Sequence, residues 1–293
     1  MLDIVAFSPD FSRIFDENAS LERIATGFVF TEGPVWDTKR ARLIFSDIPA
    51  NRQYQWREGD NEATLFREPT ANSNGLTMDN TGGLLNCEHS GRRVSRTGLD
   101  DGSLVPLATH FQGKRLNSPN DIVVHSNGSI FFTDPPYGVR DEERELPFQG
   151  VYRLDPDGKL TLLVSDFDRP NGIGLNADET VLFVDDSNRH HVRAFDLRPD
   201  GTLANGRIHG ECDPSIGRGV PDGLKIDVEG NVYMTGPGGI WVFNPSGKPH
   251  GVLRVPEVAA NLAWGGPDKR WLYITASTSV YRVRAKIAGV RRF

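Results

Sequence analysis

Apolar and polar positions alternate in short runs along this chain, and one phrase recurs six times. Each copy opens on an oxygen-bearing side chain and continues into a short apolar run: Glu32-Gly33-Pro34-Val35, Asn74-Gly75-Leu76-Thr77, Asn120-Asp121-Ile122, Asn171-Gly172-Ile173-Gly174, Asp222-Gly223-Leu224-Lys225 and Asn261-Leu262-Ala263-Trp264. About ten residues later comes a second, more hydrophobic run, at 43–47, 84–88, 130–134, 181–185, 232–236 and 272–276. Gly, Asn and Asp lie between the two runs in most copies, as in Ser126-Asn127-Gly128, which is the chemistry of a tight hairpin. The first and second runs therefore predict antiparallel neighbours.

A third run alternates, as in Gly150-Val151-Tyr152-Arg153-Leu154, and so presents one wetter face. A fourth follows a further Gly turn, at 159–164 and 251–255. Four antiparallel strands at a period of roughly 40–50 residues predict the blade of a propeller, and six copies predict an all-β, six-bladed β-propeller. The sixth copy lacks a clear fourth strand before the basic end Arg291-Arg292. Residues 19–25, ahead of the first copy, read as a spare strand that completes this last blade and closes the ring, which removes an exposed sheet edge. No linker or low-complexity segment divides the chain, so residues 1–293 read as one domain. The longest departure from the repeat, 135–149 between the second and third strands of the third copy, reads as a surface loop.

Composition changes this picture little. The 31 Gly and 19 Pro agree with many turns, and a net charge of −6 without a basic stripe argues against nucleic acid as a partner. No apolar run approaches the length of a bilayer span and no leader pattern opens the chain, so the expectation is a cytoplasmic protein without a membrane partner. Cys87 and Cys212 lack metal-ligand spacing and read as reduced and buried.

Topology then points to a site. The innermost strand of every blade runs along the central channel, so the six opening residues form a ring at one end of it. Two carboxylates converging in a channel repel unless a positive charge lies between them. Glu32, Asn120, Asn171 and Asp222 offer oxygen only, two charged and two neutral, which suits one hard divalent ion such as Ca²⁺, with Zn²⁺, Mn²⁺ and Mg²⁺ as alternatives. The second strands end nearby, which adds Asn74, His89, Asp134, Tyr137 and Asp186 as candidates to orient a substrate. Each has a plainer reading: Asn74 as a turn residue, His89 as a satisfied histidine, Asp134 and Asp186 as strand ends, and Tyr137 as packing within its loop.

With Glu32-Gly33-Pro34-Val35-Trp36, Ser118-Pro119-Asn120-Asp121, Arg169-Pro170-Asn171-Gly172 and Pro221-Asp222-Gly223 in order, the chain resembles the gluconolactonase and senescence-marker-protein (regucalcin) family of six-bladed propellers. The resemblance implies one divalent metal at Glu32, Asn120, Asn171 and Asp222, with Asp222 also as general base in opening a lactone, most directly a sugar lactone. Where the regucalcin branch carries Arg, this chain has Ser118. Thr133-Asp134-Pro135-Pro136-Tyr137-Gly138 is closer to bacterial-type gluconolactonases. Paraoxonases and diisopropyl fluorophosphatase look similar at the same central site, so aryl ester or phosphotriester cleavage is the alternative chemistry, and a non-catalytic calcium-binding propeller the alternative class. Water activated by the ion is the rival to Asp222 as the source of the nucleophile. Neither a G-x-S-x-G elbow nor a phosphate loop occurs.

Overall fold

The hairpin between first and second strands forms in every repeat. Ile122–Val124 pairs with Ile130–Asp134 across the Ser126-Asn127-Gly128 turn, with Val123 opposite Phe131, and the other five copies follow the same plan. The computed structural model describes residues 2–16 and 18–290; the basic end at Arg291-Arg292 lies outside them.

Six antiparallel sheets surround a central channel. From the channel outward, blade 1 is Thr31–Asp37, Arg42–Asp47, Arg52–Trp56 and Thr64–Arg67, and blade 2 is Ser73–Met78, Leu84–Glu88, Arg93–Thr97 and Leu104–Ala108. Blade 3 is Ile122–Val124, Ile130–Asp134, Gly150–Leu154 and Leu160–Val164, and blade 4 is Pro170–Leu175, Val181–Asp186, His191–Leu197 and Leu203–Glu211. Blade 5 is Leu224–Ile226, Val232–Gly236, Gly239–Phe243 and Pro249–Arg254. Blade 6 takes Ala259–Gly265, Trp271–Ala276 and Ser279–Arg284 from the end of the chain and its outer strand, Glu22–Thr26, from the beginning. The spare N-terminal strand thus closes the ring. Two elements go beyond the sequence reading: Ile4–Ala6 adds a fifth, outermost strand to blade 5, and His110–Phe111 with Lys114–Arg115 forms a small hairpin before blade 3.

The second strands carry the core because each is covered on both faces by neighbouring blades. Arg42–Asp47, Leu84–Glu88, Ile130–Asp134 and Val232–Gly236 are buried along their whole length. A fully buried Phe such as Phe45, Phe131 or Phe132 contributes roughly 2–3 kcal/mol. Aromatic pairs join neighbouring blades: Trp36 of blade 1 stacks on Tyr273 of blade 6 at 5.3 Å, and Tyr233 of blade 5 meets Trp264 of blade 6 edge-on at 4.9 Å. Cys87 and Cys212 are free and buried. No helix among the described residues is long and apolar enough to cross a membrane.

The loop at 135–149 contains one short 3-10 turn, Asp141–Glu143, and is tied to its surroundings at several points. Gly138 N donates to Ser118 Oγ at 3.0 Å, Asn117 Nδ2 to Phe148 O at 3.0 Å and Arg92 Nη1 to Glu143 O at 3.2 Å. The loop is therefore a fixed wall at the end of the channel where the ring of opening residues lies.

Candidate active site

In four blades the inner strand is irregular where the opening residue meets the axis, and in blades 3 and 5 Asn120 and Asp222 lie just ahead of the strand. Register shifts fall between Glu32 and Val35, Ser73 and Leu76, Pro170 and Ile173, and Ala259 and Asn261. A bulge of this kind bends the strand and re-aims a side chain. The glycine that follows lets the next blade come close. A Cβ on Gly33, whose φ is +50°, would lie 1.9 Å from Asn74 O, and one on Gly75 would lie 2.5 Å from Asn120 O. The recurring residue-glycine pair is thus the packing rule of the inner ring.

The six side chains form two arcs of hydrogen bonds, three residues in each. Asn261 Nδ2 donates to Glu32 Oε2 at 2.9 Å, and Glu32 in turn shares a hydrogen bond with Asp222. On the other side Asn74 Nδ2 donates to Asn120 Oδ1 at 2.7 Å, Asn120 Nδ2 to Asn171 Oδ1, and Asn171 Nδ2 to Tyr137 Oη at 3.2 Å and Ser187 Oγ at 3.1 Å. Five of the six are buried, and Asp222 alone is partly exposed. Burial pushes the Glu32 carboxyl up to about 7, with the Asp121 charge adding to the shift. Asp222 is driven well above its ordinary range by burial and then by the Glu32 charge.

Two acids that cannot both ionise comfortably, beside two amides, suit a divalent cation. The buried Asn74 Oδ1, which has no hydrogen-bond partner, adds an uncommitted oxygen nearby. All these donors are oxygen, the chemistry of a hard ion. Among the described residues no three acidic, histidine or cysteine side chains converge on one point, so a cation at the ring rests on two carboxylates and neutral amides.

The remaining candidates divide. His89 Nε2 lies 3.3 Å from Asn74 Nδ2 and 3.2 Å from Asn120 Oδ1, and burial lowers its pKa to about 4, so the ring is neutral near pH 7. Tyr137 leans over the ring, its hydroxyl 3.1 Å from Ser187 Oγ and its face against the Arg169 guanidinium at 4.9 Å. Asp134 and Asp186 do not join them. Asp134 accepts Asn117 N at 2.8 Å and Ser118 N at 2.7 Å, and Asp186 accepts Asp168 N at 2.8 Å and Arg169 N at 3.1 Å. Asp47 does the same for Val29 and Phe30 in blade 1. These acids clamp the segment that leads into the inner strand of their own blade, which is the strand-end reading, and both oxygens of each accept from backbone amides.

Residues 30–278 match the family described as SMP-30/Gluconolactonase/LRE-like region. The chain belongs to this family. A gluconolactonase of Zymomonas mobilis is 33% identical, over 98% of this chain and 87% of the relative. The solved structure of a gluconolactonase from Xanthomonas campestris superposes with a TM-score of 0.88 at 30% identity, covering 96% of this chain and 94% of that one. A calcium-binding regucalcin of Agrobacterium tumefaciens shares the fold, with a TM-score of 0.76 at 18% identity over 94% and 96% of the two chains. This SMP-30/gluconolactonase-family chain is an enzyme of the lactonase kind. Its ring uses two residues that the repeat alone does not mark as functional. Ser187 ties Asn171 and Tyr137 to Pro221 O at 2.7 Å, next to Asp222, and Asn261 holds Glu32. Ser187 lies one residue past a strand end, where sequence carries no signal; Asn261 opens the sixth copy, with Leu262 after it in place of glycine.

Proposed function

We propose that this enzyme hydrolyses a lactone, most directly a sugar lactone, at the axial ring, with one divalent ion, Ca²⁺ first, held by Glu32, Asn120, Asn171 and Asp222. The observation that carries this reading is the pairing of buried Glu32 with Asp222 beside the Asn120 and Asn171 amides, an arrangement that a cation completes. The sequence likeness to a gluconolactonase supports the substrate class. When bound, such an ion polarises the lactone carbonyl and steadies charge on its oxygen, an effect worth several kcal/mol.

This chain's residues do the rest. Asp222, the partly exposed member of the ring, takes a proton from the water that attacks the lactone carbonyl carbon. As the ring C–O bond breaks, that proton passes to the departing alkoxide, so the product is a hydroxy acid. Asn74 and neutral His89 offer donors and acceptors to substrate hydroxyls, and Tyr137 closes the side of the site above Asn171. Dense amide and hydroxyl lining favours a polyhydroxylated lactone over an apolar aryl ester.

Turnover of glucono-lactone, an aliphatic lactone, an aryl ester and a phosphotriester, before and after chelation, tests the reading. Glucono-lactone should lead, activity should vanish with chelator and return with Ca²⁺, and Asp222→Asn should lower kcat at least a thousandfold in a folded protein. Near-native turnover by the variant would remove Asp222 from the mechanism, and an ion-loaded protein inert on all four substrates would favour a binding role.

A further inference from the structure

The packing rule of the inner ring holds in blades 1, 2, 4 and 5, where glycine follows the opening residue. Blade 6 has Leu262 there, and blade 3 has Asp121, a buried acid on the channel axis. Its carboxylate accepts Ile122 N of its own blade at 2.9 Å and Ile173 N of blade 4 at 3.4 Å. It lies 3.8 Å from Lys225 Nζ of blade 5, and the Asn261 side chain of blade 6 lies close enough to favour its charged form. On the remaining side it abuts Gly75 of blade 2, where a Cβ would lie 2.7 Å from Asp121 Oδ1. Asp121 thus touches five blades, and Asn261, which also donates to Glu32, carries the link to the sixth.

Lys225 comes to Asp121 from beyond the ring. Its side chain lines the apolar cavity at the opposite end of the channel, among Leu76, Ile122, Ile173 and Ile226, and its ammonium also donates to Leu224 O at 2.9 Å. The axis carries Glu32, Asp222 and Asp121, with Asp185 behind them, and Lys225 is the cation whose charge reaches both Asp121 and Asp185. Asp185 has one buried oxygen without a partner, and burial holds it toward its neutral form.

We propose that Lys225 is a built-in counter-cation to Asp121, which leaves the two ring carboxylates as the charge that meets a divalent ion, and that the pair holds Asn261 on Glu32. Both are positioning residues, and the proposal rests on reading the ring as a divalent-ion site. It has a sign. Asp121→Asn leaves an ammonium unopposed near the ion, whereas Lys225→Met removes a repelling charge and leaves an acid. Loss of packing alone would weaken ion binding in both.

Isothermal titration of Ca²⁺ into the intact protein and its variants, each first shown to unfold cooperatively, tests this. Asp121→Asn should bind at least tenfold more weakly, Lys225→Met at least threefold more tightly, and the double variant within threefold of the native protein. A double variant as weak as Asp121→Asn overturns the proposal. Should Asp121→Asn not fold, Lys225→Met decides alone: tighter binding supports the counter-cation role, and equal or weaker binding overturns it. A native protein that binds no divalent ion instead overturns the ring reading itself, a result distinct from native binding with the wrong pattern among variants.

Discussion

Tyr137 is where the loop meets the ring. Its hydroxyl bonds Ser187 and accepts from Asn171, and a neutral hydrogen bond is worth about 0.5–1.5 kcal/mol. Tyr137→Phe should therefore lower kcat/KM roughly tenfold while shifting stability by less than about 1 kcal/mol, as steady-state kinetics and urea unfolding would show. Asp134 makes the opposite case. Burial pushes its carboxyl up to about 7 even though two backbone amides hold it, and it faces no open part of the site. Asp134→Asn turns an N–H toward one of those amides and should cost about 2 kcal/mol in urea unfolding, with kcat/KM of the folded fraction within twofold of native. A raised KM at unchanged stability would return Asp134 to the substrate side. The repeat made both residues visible as neighbours of the channel mouth. It could not separate them, because a strand-end acid and a substrate-facing acid have the same spacing, and only the path of the incoming backbone shows which oxygens are already used.

At the scale of elements, the closing blade holds because Glu22–Thr26 is pinned across its join. Arg282 of blade 6 lies over Trp271 at 4.3 Å and Trp56 of blade 1 at 5.2 Å, while donating to Glu22 at 2.7 Å and to Glu58 at 3.1 Å. A guanidinium stacked and paired at once joins the first strand of the ring, the last blade and the first blade. Arg282→Ala should destabilise by about 2–3 kcal/mol, read by calorimetric or urea unfolding, and Arg282→Lys should recover less than half, because an ammonium lacks the planar fork. The strands themselves were largely legible, since the second runs 84–88, 130–134 and 232–236 coincide with Leu84–Glu88, Ile130–Asp134 and Val232–Gly236. Ile4–Ala6 was not. Three residues beside a Ser-Pro step have no period to read, and their pairing with Pro249–Arg254 depends on an outer edge that exists only once the ring has formed.

The whole molecule couples the site to stability, because the ring draws one side chain from each blade. In the metal-free chain Glu32 and Asp222 face each other at a cost that their raised proton affinities record, and the blades must meet for that encounter to occur. An ion that binds only the closed ring therefore stabilises the entire propeller by mass action, by about 2.7 kcal/mol at a hundred times its dissociation constant. For a chain of this length that corresponds to a rise in Tm of about 5 °C. Differential scanning calorimetry with Ca²⁺ in excess, against the same protein in chelator, should show this rise. Mg²⁺ should give less, since it demands a stricter octahedron and sheds water reluctantly. Asp222→Asn should abolish most of the rise, yet its metal-free Tm should match or exceed that of the native chain, because removing one of two opposed acids relieves the repulsion that the ion otherwise offsets. A variant that keeps the full Ca²⁺ response would move the ion elsewhere, whereas a native chain indifferent to Ca²⁺ and chelator alike would leave Glu32 and Asp222 as a proton-sharing pair with no ion between them.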